Sequence, residues 1–477
     1  MKTIIVGAGF TGVLLARKLV KDGHKVVLVD SDPERVREIG GQLDCAVMCS
    51  EGNSLEALEN AGIASADALV TVTPSDEINM ITCTLADAVH PQLLKIARVR
   101  NYSYFMDTVS AARKYADVVS GERRTPFGID WIVNPEVEAA AAIGRAIAYG
   151  AVGEVIELGS GYGIASLPIG RHSPLNGKSL SQLQAVDGWH HLVAYVETQD
   201  GPVLPSGSSV LVKGNRIGVL TRLSEIQALA KLCDAPGGTS ERMAVVGAGR
   251  VGSLVVMGRK PDMRNPDLDK TLGFGWKAGG KDEIVVIDED LDRCRAMVRQ
   301  FAGIRVVCGN ATDDNIIREE RLDRFDLVVA ASENPERNLV TAAHLKGKGA
   351  TKTIALTSGS SISGLAEKMD VDISIPIRDT VVDNIIGHLR GSAVKSVHTL
   401  CRGRLELVEC VAEKGSEADG RTLGELGIAG RATVLFVRHP DGKSAIPNGD
   451  TAICAGDKVV LIKPAGNTDA LGLFGAE

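Results

Sequence analysis

Two glycine-rich segments of this chain have the spacing that cradles a phosphate. Gly7-Ala8-Gly9-Phe10-Thr11-Gly12 and Gly247-Ala248-Gly249-Arg250-Val251-Gly252 share one pattern of three glycines. The first glycine permits a tight turn, the second lets backbone approach a pyrophosphate, and the third lets a helix pack close to a strand. The N–H groups from Ala8 to Gly12, including those of Phe10 and Thr11, then face a ligand at the positive end of a helix. Each segment follows an apolar run, Met1–Val6 or Met243–Val246, and precedes a second run that closes on an acid, Asp30 or Asp288. An acid there accepts hydrogen bonds from a ribose diol and disfavours a 2′-phosphate. That excludes NADP and leaves NAD(H), ATP and ADP open.

Such loops need alternating strands and helices to hold them. After Asp30 the pattern predicts a helix from about 33 to 40, a strand at Cys45–Met48 and a helix at Leu55–Ala61. A strand at Ala68–Val72, a helix from Asp76 to about Val89 and a strand at Leu94–Val99 follow. This order implies a parallel, doubly wound sheet with its ligand at the carboxyl ends of the strands. The pattern then repeats. Leu69-Val70 matches Leu327-Val328, Gly52-Asn53 matches Gly309-Asn310, and Ile96-Ala97 matches Ile354-Ala355. Further on, Gly177-Lys178-Ser179-Leu180 answers Gly420-Arg421-Thr422-Leu423, Pro205-Ser206-Gly207 answers Pro447-Asn448-Gly449, and Gly214 answers Gly456. The chain reads as two copies of a unit of about 230 residues, each with a larger and a smaller part.

Composition narrows the function classes. A net charge of −7 argues against a dedicated nucleic-acid binder. No apolar stretch is long enough to span a bilayer without polar interruption, and the first residues read as a strand rather than a signal peptide. Nine cysteines without a C-x-x-C suit a reducing compartment and small buried hydrophobes. His190-His191 are read as structural or surface residues, since neighbours on a strand point to opposite faces and no carboxylate or thiol cluster is near in sequence. No metal site is expected.

Thr73-Pro74-Ser75-Asp76-Glu77-Ile78-Asn79 resembles the T-x-x-D-E-x-N segment of RCK (or KTN) domains, cytosolic regulators of potassium channels and transporters. Glu51-Gly52-Asn53-Ser54, Ala61-Gly62-Ile63 and Ala66-Asp67 fit the same family's G-[DN]-x…A-G-I…A-D run. Asn176 to Leu180, and Pro447 to Asp450 with Gly456 to Val459, resemble the RCK C-terminal lobe. Two such units in one chain is the arrangement of Trk-type potassium uptake regulatory subunits. The resemblance implies two tandem Rossmann-like lobes, each followed by a small α+β lobe, with lobes at 1–125, 126–235, 240–379 and 380–477. It implies a nucleotide site built from Gly7 to Gly12, Asp30, Asn53, Thr73, Pro74, Glu77 and Arg98, with Arg100 as a neighbour across a dimer interface. Arginine suits the phosphates because its planar fork binds their oxygens bidentately.

The second copy departs from the first. Gly12 to Asp30 spans 18 residues, whereas Gly252 to Asp288 spans 36. The added segment, about 259–282, is rich in Pro and Gly and reads as a loop. Leu356 stands where Arg98 stands, and Ala331 is aligned with Thr73. Gly247, Gly249, Gly252 and Asp288 therefore form a weaker second site. The small lobes offer no nucleophile–base pair, so no enzyme is expected. The alternative, an NAD-dependent dehydrogenase with a duplicated Rossmann domain, lacks an acid–base group to work on a nicotinamide. The resemblance implies a regulator on the cytoplasmic face of the membrane that gates a potassium-translocating transmembrane subunit of TrkH/TrkG type. Four copies would complete a ring of eight RCK domains.

Overall fold

In a computed structural model, the described residues are 1–21, 23–106, 126–148, 155–159, 161–198, 200–234, 242–260, 283–359, 362, 365–366, 368–389, 394–401, 404–428, 430–440, 444–465, 467 and 469–475. The interrupting segment predicted at 259–282 lies almost wholly outside them. None of the described helices is long and apolar enough to cross a membrane.

Four sheets follow in chain order. The first has the order β3 (Ala46–Cys49), β2 (Lys25–Asp30), β1 (Lys2–Val6), β4 (Ala68–Thr71), β5 (Leu94–Arg98), β6 (Trp131–Val133). All its pairings are parallel. This is the doubly wound order, in which the chain reverses direction beside β1 and opens a crevice there. The second sheet is antiparallel and comprises β7 (Val155–Gly159), β8 (Tyr162–Pro168), β9 (Leu192–Thr198), β10 (Gly201–Val203) and β11 (Arg216–Arg222), in the order β10-β9-β11-β8-β7. The third repeats the first, with β12 (Arg242–Val246), β13 (Glu283–Asp288), β14 (Arg305–Cys308), β15 (Leu327–Ala330), β16 (Lys352–Thr357) and β17 (Ile373–Pro376) in the order β14-β13-β12-β15-β16-β17. The fourth repeats the second and holds β18 (Val394–Leu400), β19 (Leu405–Val411), β20 (Thr433–Arg438), β21 (Ser444–Ala445) and β22 (Lys458–Pro464).

These sheets sort into two compact units. One comprises Met1–Gly144 and Ser240–Leu389, and the other Arg145–Thr239 and Arg390–Glu477. Each large sheet gains a sixth parallel strand that sequence patterning did not predict, β6 or β17. β6 has three residues and is followed at once by the helix Pro135–Ala148.

Within the first unit, the two Rossmann-like parts share a core. Val381, Val382, Ile385, Ile386 and Leu389, on the helix Ile377–Leu389 after β17, pack with Leu15, Ala16 and Leu19 on the helix Phe10–Lys21 after β1. Lys18 and Asp383 close the contact at 2.6 Å. His388, on the same helix, stacks on Trp131 with ring centroids 4.0 Å apart. Burial pushes its pKa down to about 4, below the ordinary value of about 6.5 expected in the unfolded chain. Between those values the unfolded chain binds the extra proton, so stability held above pH about 6.5 is lost as pH falls through about 4. Urea midpoints should therefore drop across that window, and His388→Phe, which keeps the stack, should flatten the drop. An unchanged slope in the variant would place the acid sensitivity elsewhere.

In the second unit the two antiparallel sheets share a core of Ile156, Ile164, Tyr195, Leu220, Leu407, Phe436 and Ile462 among others. The repeat spacing read from the sequence holds here. Gly214 and Gly456 both sit at positive φ, 91° and 89°, and Ser179 and Thr422 make matching bridges to Val210 and Ala452.

Candidate functional site

The first glycine loop leaves β1 at Gly7, whose φ of 108° an L side chain rarely adopts. A Cβ there would lie 2.9 Å from the Thr73 backbone nitrogen, and one at Gly12 would lie 1.9 Å from the Gly7 carbonyl oxygen. Nothing lies within 4 Å of the corresponding point on Gly9. The outer two glycines are thus required by packing, and the middle one keeps an approach open. Thr11 is buried, whereas Phe10 points outward beneath the Arg378 guanidinium, 4.0 Å from its ring centroid.

Asp30 ends β2 beside this loop and is buried. Its Oδ2 accepts from the Ala8 N–H at 2.6 Å and its Oδ1 from the Asp32 N–H at 2.9 Å, while Arg35 approaches at 3.4 Å. A carboxylate has about four acceptor positions, so it can hold the loop and still receive a ribose hydroxyl.

The opposite wall of the crevice is organised by Asn79, which is fully buried. Its Oδ1 accepts from the Thr73 N–H at 2.9 Å and the Thr73 hydroxyl at 2.7 Å. Its Nδ2 donates to the carbonyls of Thr73 and Arg98, at 3.0 and 2.8 Å. One amide thus ties the end of β4 to the end of β5. Asn79 closes the quoted T-x-x-D-E-x-N segment, yet sequence reasoning did not assign it to the site. Asp76, one turn earlier, accepts from the backbone of Arg100 and Asn101 and fixes the chain just beyond β5.

Arg98 donates to the Thr73 carbonyl at 2.9 Å, and its Nε is buried with no hydrogen-bond partner. Burial, and then the neighbouring Arg100, hold its guanidinium below the ordinary arginine value. A half-buried guanidinium at the carboxyl end of β5 suits an anion. Arg100 is exposed and pairs with Glu136 at 3.6 Å. Pro74, Asn53 and Glu77 are exposed. Glu77 lies in the first turn of the helix Asp76–Val89 and accepts from the Ser75 hydroxyl at 2.9 Å. Its own backbone N–H first, and then that hydroxyl, hold its carboxyl below the usual range.

The second crevice repeats the frame. Gly247 has φ 117°, the Ala248 N–H donates to Asp288 Oδ2 at 2.7 Å, and a Cβ on Gly252 would lie 1.9 Å from the Gly247 carbonyl. Strand register corrects two alignments made from sequence. Val6 pairs with Thr71, and Val246 with Ala330. Ser332 therefore takes the place of Thr73, Ala331 that of Val72, and Leu69-Val70 answers Val328-Val329. Ser332 makes the same bonds to Asn338 that Thr73 makes to Asn79, through its N–H at 2.8 Å and its hydroxyl at 2.6 Å. The hydroxyl is retained. Likewise Cys49 and Cys308 pair with the two acids, so Gly52-Asn53 answers Ala311-Thr312 rather than Gly309-Asn310. Buried apolar strands carry no alternation to fix their phase, and that allows slips of this kind.

Two differences are real. Leu356, buried, replaces Arg98, and Asn338 Nδ2 bonds its carbonyl at 3.0 Å as Asn79 bonds that of Arg98. Ion pairs also span the crevice. Arg293 meets Glu333 at 3.0 Å beside the open side of Gly249, and Arg337 grips both carboxylate oxygens of Glu289, the residue after Asp288. The first copy has Arg35, Pro74, Ile78 and Ser31 at those positions and can form neither pair.

Comparison with known proteins matches the TrkA-N domain to residues 3–120 and 276–376, and the TrkA-C domain to residues 407–472. The chain is 26% identical over 467 residues to the Trk system potassium uptake protein TrkA of Halomonas elongata, covering 97% of this chain and 95% of that one. To the protein of the same name from Vibrio alginolyticus it is 25% identical, covering 97% and 93%. Among solved structures it is similar to the GsuK channel bound to NAD, with TM-score 0.57 and 16% identity over 99% of this chain and 78% of that one. The GsuK RCK domain gives TM-score 0.56 at 16% identity, over 99% and 94%. At that identity the likeness concerns the fold.

Proposed function

This chain belongs to the TrkA family, with two tandem RCK domains, and on that premise we propose that it is a nucleotide-sensing regulatory subunit that gates a membrane potassium uptake transporter. The observation that carries the nucleotide reading is Arg98. Its guanidinium ends β5 and donates to the carbonyl of Thr73, the residue against which Gly7 of the first loop packs. The ligand is an adenine nucleotide with a free ribose diol, NAD(H) or ATP/ADP, because a 2′-phosphate would meet the Asp30 carboxylate.

Binding tightens elements that the fold already brings together. Gly7 of the first loop packs on Thr73, Arg98 bonds the Thr73 carbonyl and Asp30 holds the Ala8 N–H, so phosphates and ribose would engage all three at once. Phe10 of that loop touches Arg378 on the helix Ile377–Leu389, which packs on the helix after β1. A loop moved by ligand therefore presses on an element of the second Rossmann-like part. The ligand shifts the balance of arrangements only by its differential affinity for them. A closed assembly of four chains, with eight RCK domains, would sum these small displacements at the transporter, which spans the membrane while this chain works from its cytoplasmic face.

Calorimetric titration of the full chain with NADH, NAD, ATP, ADP and NADPH, with light scattering in parallel, tests this reading. One high-affinity site for a 2′-hydroxyl nucleotide and a fourfold mass are expected, and the same nucleotide should change potassium uptake by vesicles holding the transporter. NADPH binding as tightly as NADH, or uptake indifferent to the chain, would sink it.

A further inference from the structure

His190 and His191 were expected on opposite faces of a strand. They instead lie just before β9, off the ladder, with ring centroids 4.2 Å apart. A carboxylate reaches them from distant sequence. Glu225, at the end of the short turn Leu223–Glu225 after β11, sits 3.1 Å from His190 Nε2. One donor atom from each of the three residues falls within 4.8 Å of the others.

The sheet sets this convergence. Leu220 of β11 pairs with Leu192 of β9 in antiparallel register, so the residues just before β9 and just after β11 leave the sheet at the same end of these strands. The imidazoles are also held in place. The Thr221 hydroxyl, on a buried residue, lies 3.0 Å from His191 Nδ1, and Trp189 meets the His191 ring edge-on at 5.4 Å. Ligand imidazoles in metal sites are oriented by such outer hydrogen bonds.

The lobe fold does not require this cluster. The fourth sheet repeats the second, and register there places Ile462 opposite Thr433 as Leu220 lies opposite Leu192. The repeat equivalents of His190, His191, Thr221 and Glu225 are then Arg431, Ala432, Lys463 and Asn467, which cannot bind a metal as a set. The same scaffold forms without the constellation, so its presence in one copy calls for another account.

We propose that His190, His191 and Glu225 form a binding site for a divalent transition ion of the zinc type in the first small lobe. Two imidazoles and one carboxylate are a donor set that holds zinc with a further position left to water. Carboxylate and imidazole together disfavour calcium and magnesium, which take oxygen ligands. The site is independent of the nucleotide reading, and no nucleotide enters its test.

The full chain, without a histidine tag and stripped with chelator, is titrated calorimetrically with zinc chloride. In parallel, cobalt(II) is added and visible absorption is recorded. Wild type is expected to take up one ion per chain at this site and to give a cobalt spectrum of low coordination number. His191→Ala and Glu225→Gln should each weaken binding by roughly tenfold or more and remove the spectrum. Glu225→Gln is isosteric and near the surface, so its fold is secure if His191→Ala misfolds. No binding by wild type, or equal binding by both variants, overturns the proposal. Equal binding would move the ion to the exposed thiols Cys49, Cys308 or Cys454.

Discussion

Asp30→Ala should abolish tight nucleotide binding, while Asp288→Ala leaves the measured affinity within about twofold. The two acids are geometric twins, each accepting the N–H of the alanine that follows the first loop glycine, at 2.6 and 2.7 Å. Removing either should loosen its own loop by a similar amount. What separates them is the surroundings. In the first copy Arg98 ends β5, whereas in the second the buried Leu356 holds that strand position and Glu289, next to Asp288, is locked to Arg337. Hydrogen bonds to a charged group contribute about 1.5–3 kcal/mol each. Losing two to a ribose diol should raise Kd on the order of a hundredfold or more. Calorimetry on the two variants decides between the sites, with urea unfolding as the control for loop damage. Loss of binding in Asp288→Ala with binding kept in Asp30→Ala would assign the nucleotide to the second copy.

That contrast also separates what could be read in the sequence from what could not. The glycine spacing, the closing acids and the loss of Arg98 at Leu356 are legible because each is a residue type at a position counted from a fixed landmark. The strand order follows from the same landmarks. The slip from Ser332 to Ala331 falls where two strands, Ala68–Thr71 and Leu327–Ala330, are buried on both faces and show no alternation. The pairs Arg293–Glu333 and Arg337–Glu289 join residues 40 and 48 apart, and no local pattern announces them. The packing of the helix Ile377–Leu389 on the helix after β1 is invisible for a related reason. An apolar helix face shows that something covers it, but not which part of the chain does so. Asn79 stands in the quoted T-x-x-D-E-x-N segment, but its burial, and with it the bonds that a buried amide must make, is visible only in the structure.

Gly12→Ala and Gly252→Ala should destabilise the first unit by similar amounts, although in the proposed reading only Gly12 belongs to the nucleotide site. In both copies the added methyl would sit 1.9 Å from the carbonyl oxygen of the first loop glycine. That atom is backbone and cannot swing aside, so strand and helix must part. Overpacking of this kind costs up to about 3 kcal/mol, or a fall in Tm of up to roughly 5 °C for a unit of this size. The third glycine is therefore kept in the second copy by strand–helix contact, and its survival there says nothing about a ligand. Nucleotide should separate the two variants. Gly252→Ala keeps the loop of the first copy and should still gain stability when nucleotide is added, by an amount set by ligand concentration over Kd. Gly12→Ala displaces the N–H groups that face the phosphates and should gain almost nothing. Thermal unfolding of both variants, with and without nucleotide, reads the two effects separately. A Gly252→Ala chain as stable as wild type would show that the second loop is not held by this contact. A Gly12→Ala chain that still responds fully to nucleotide would show that the first loop does not bind the phosphates.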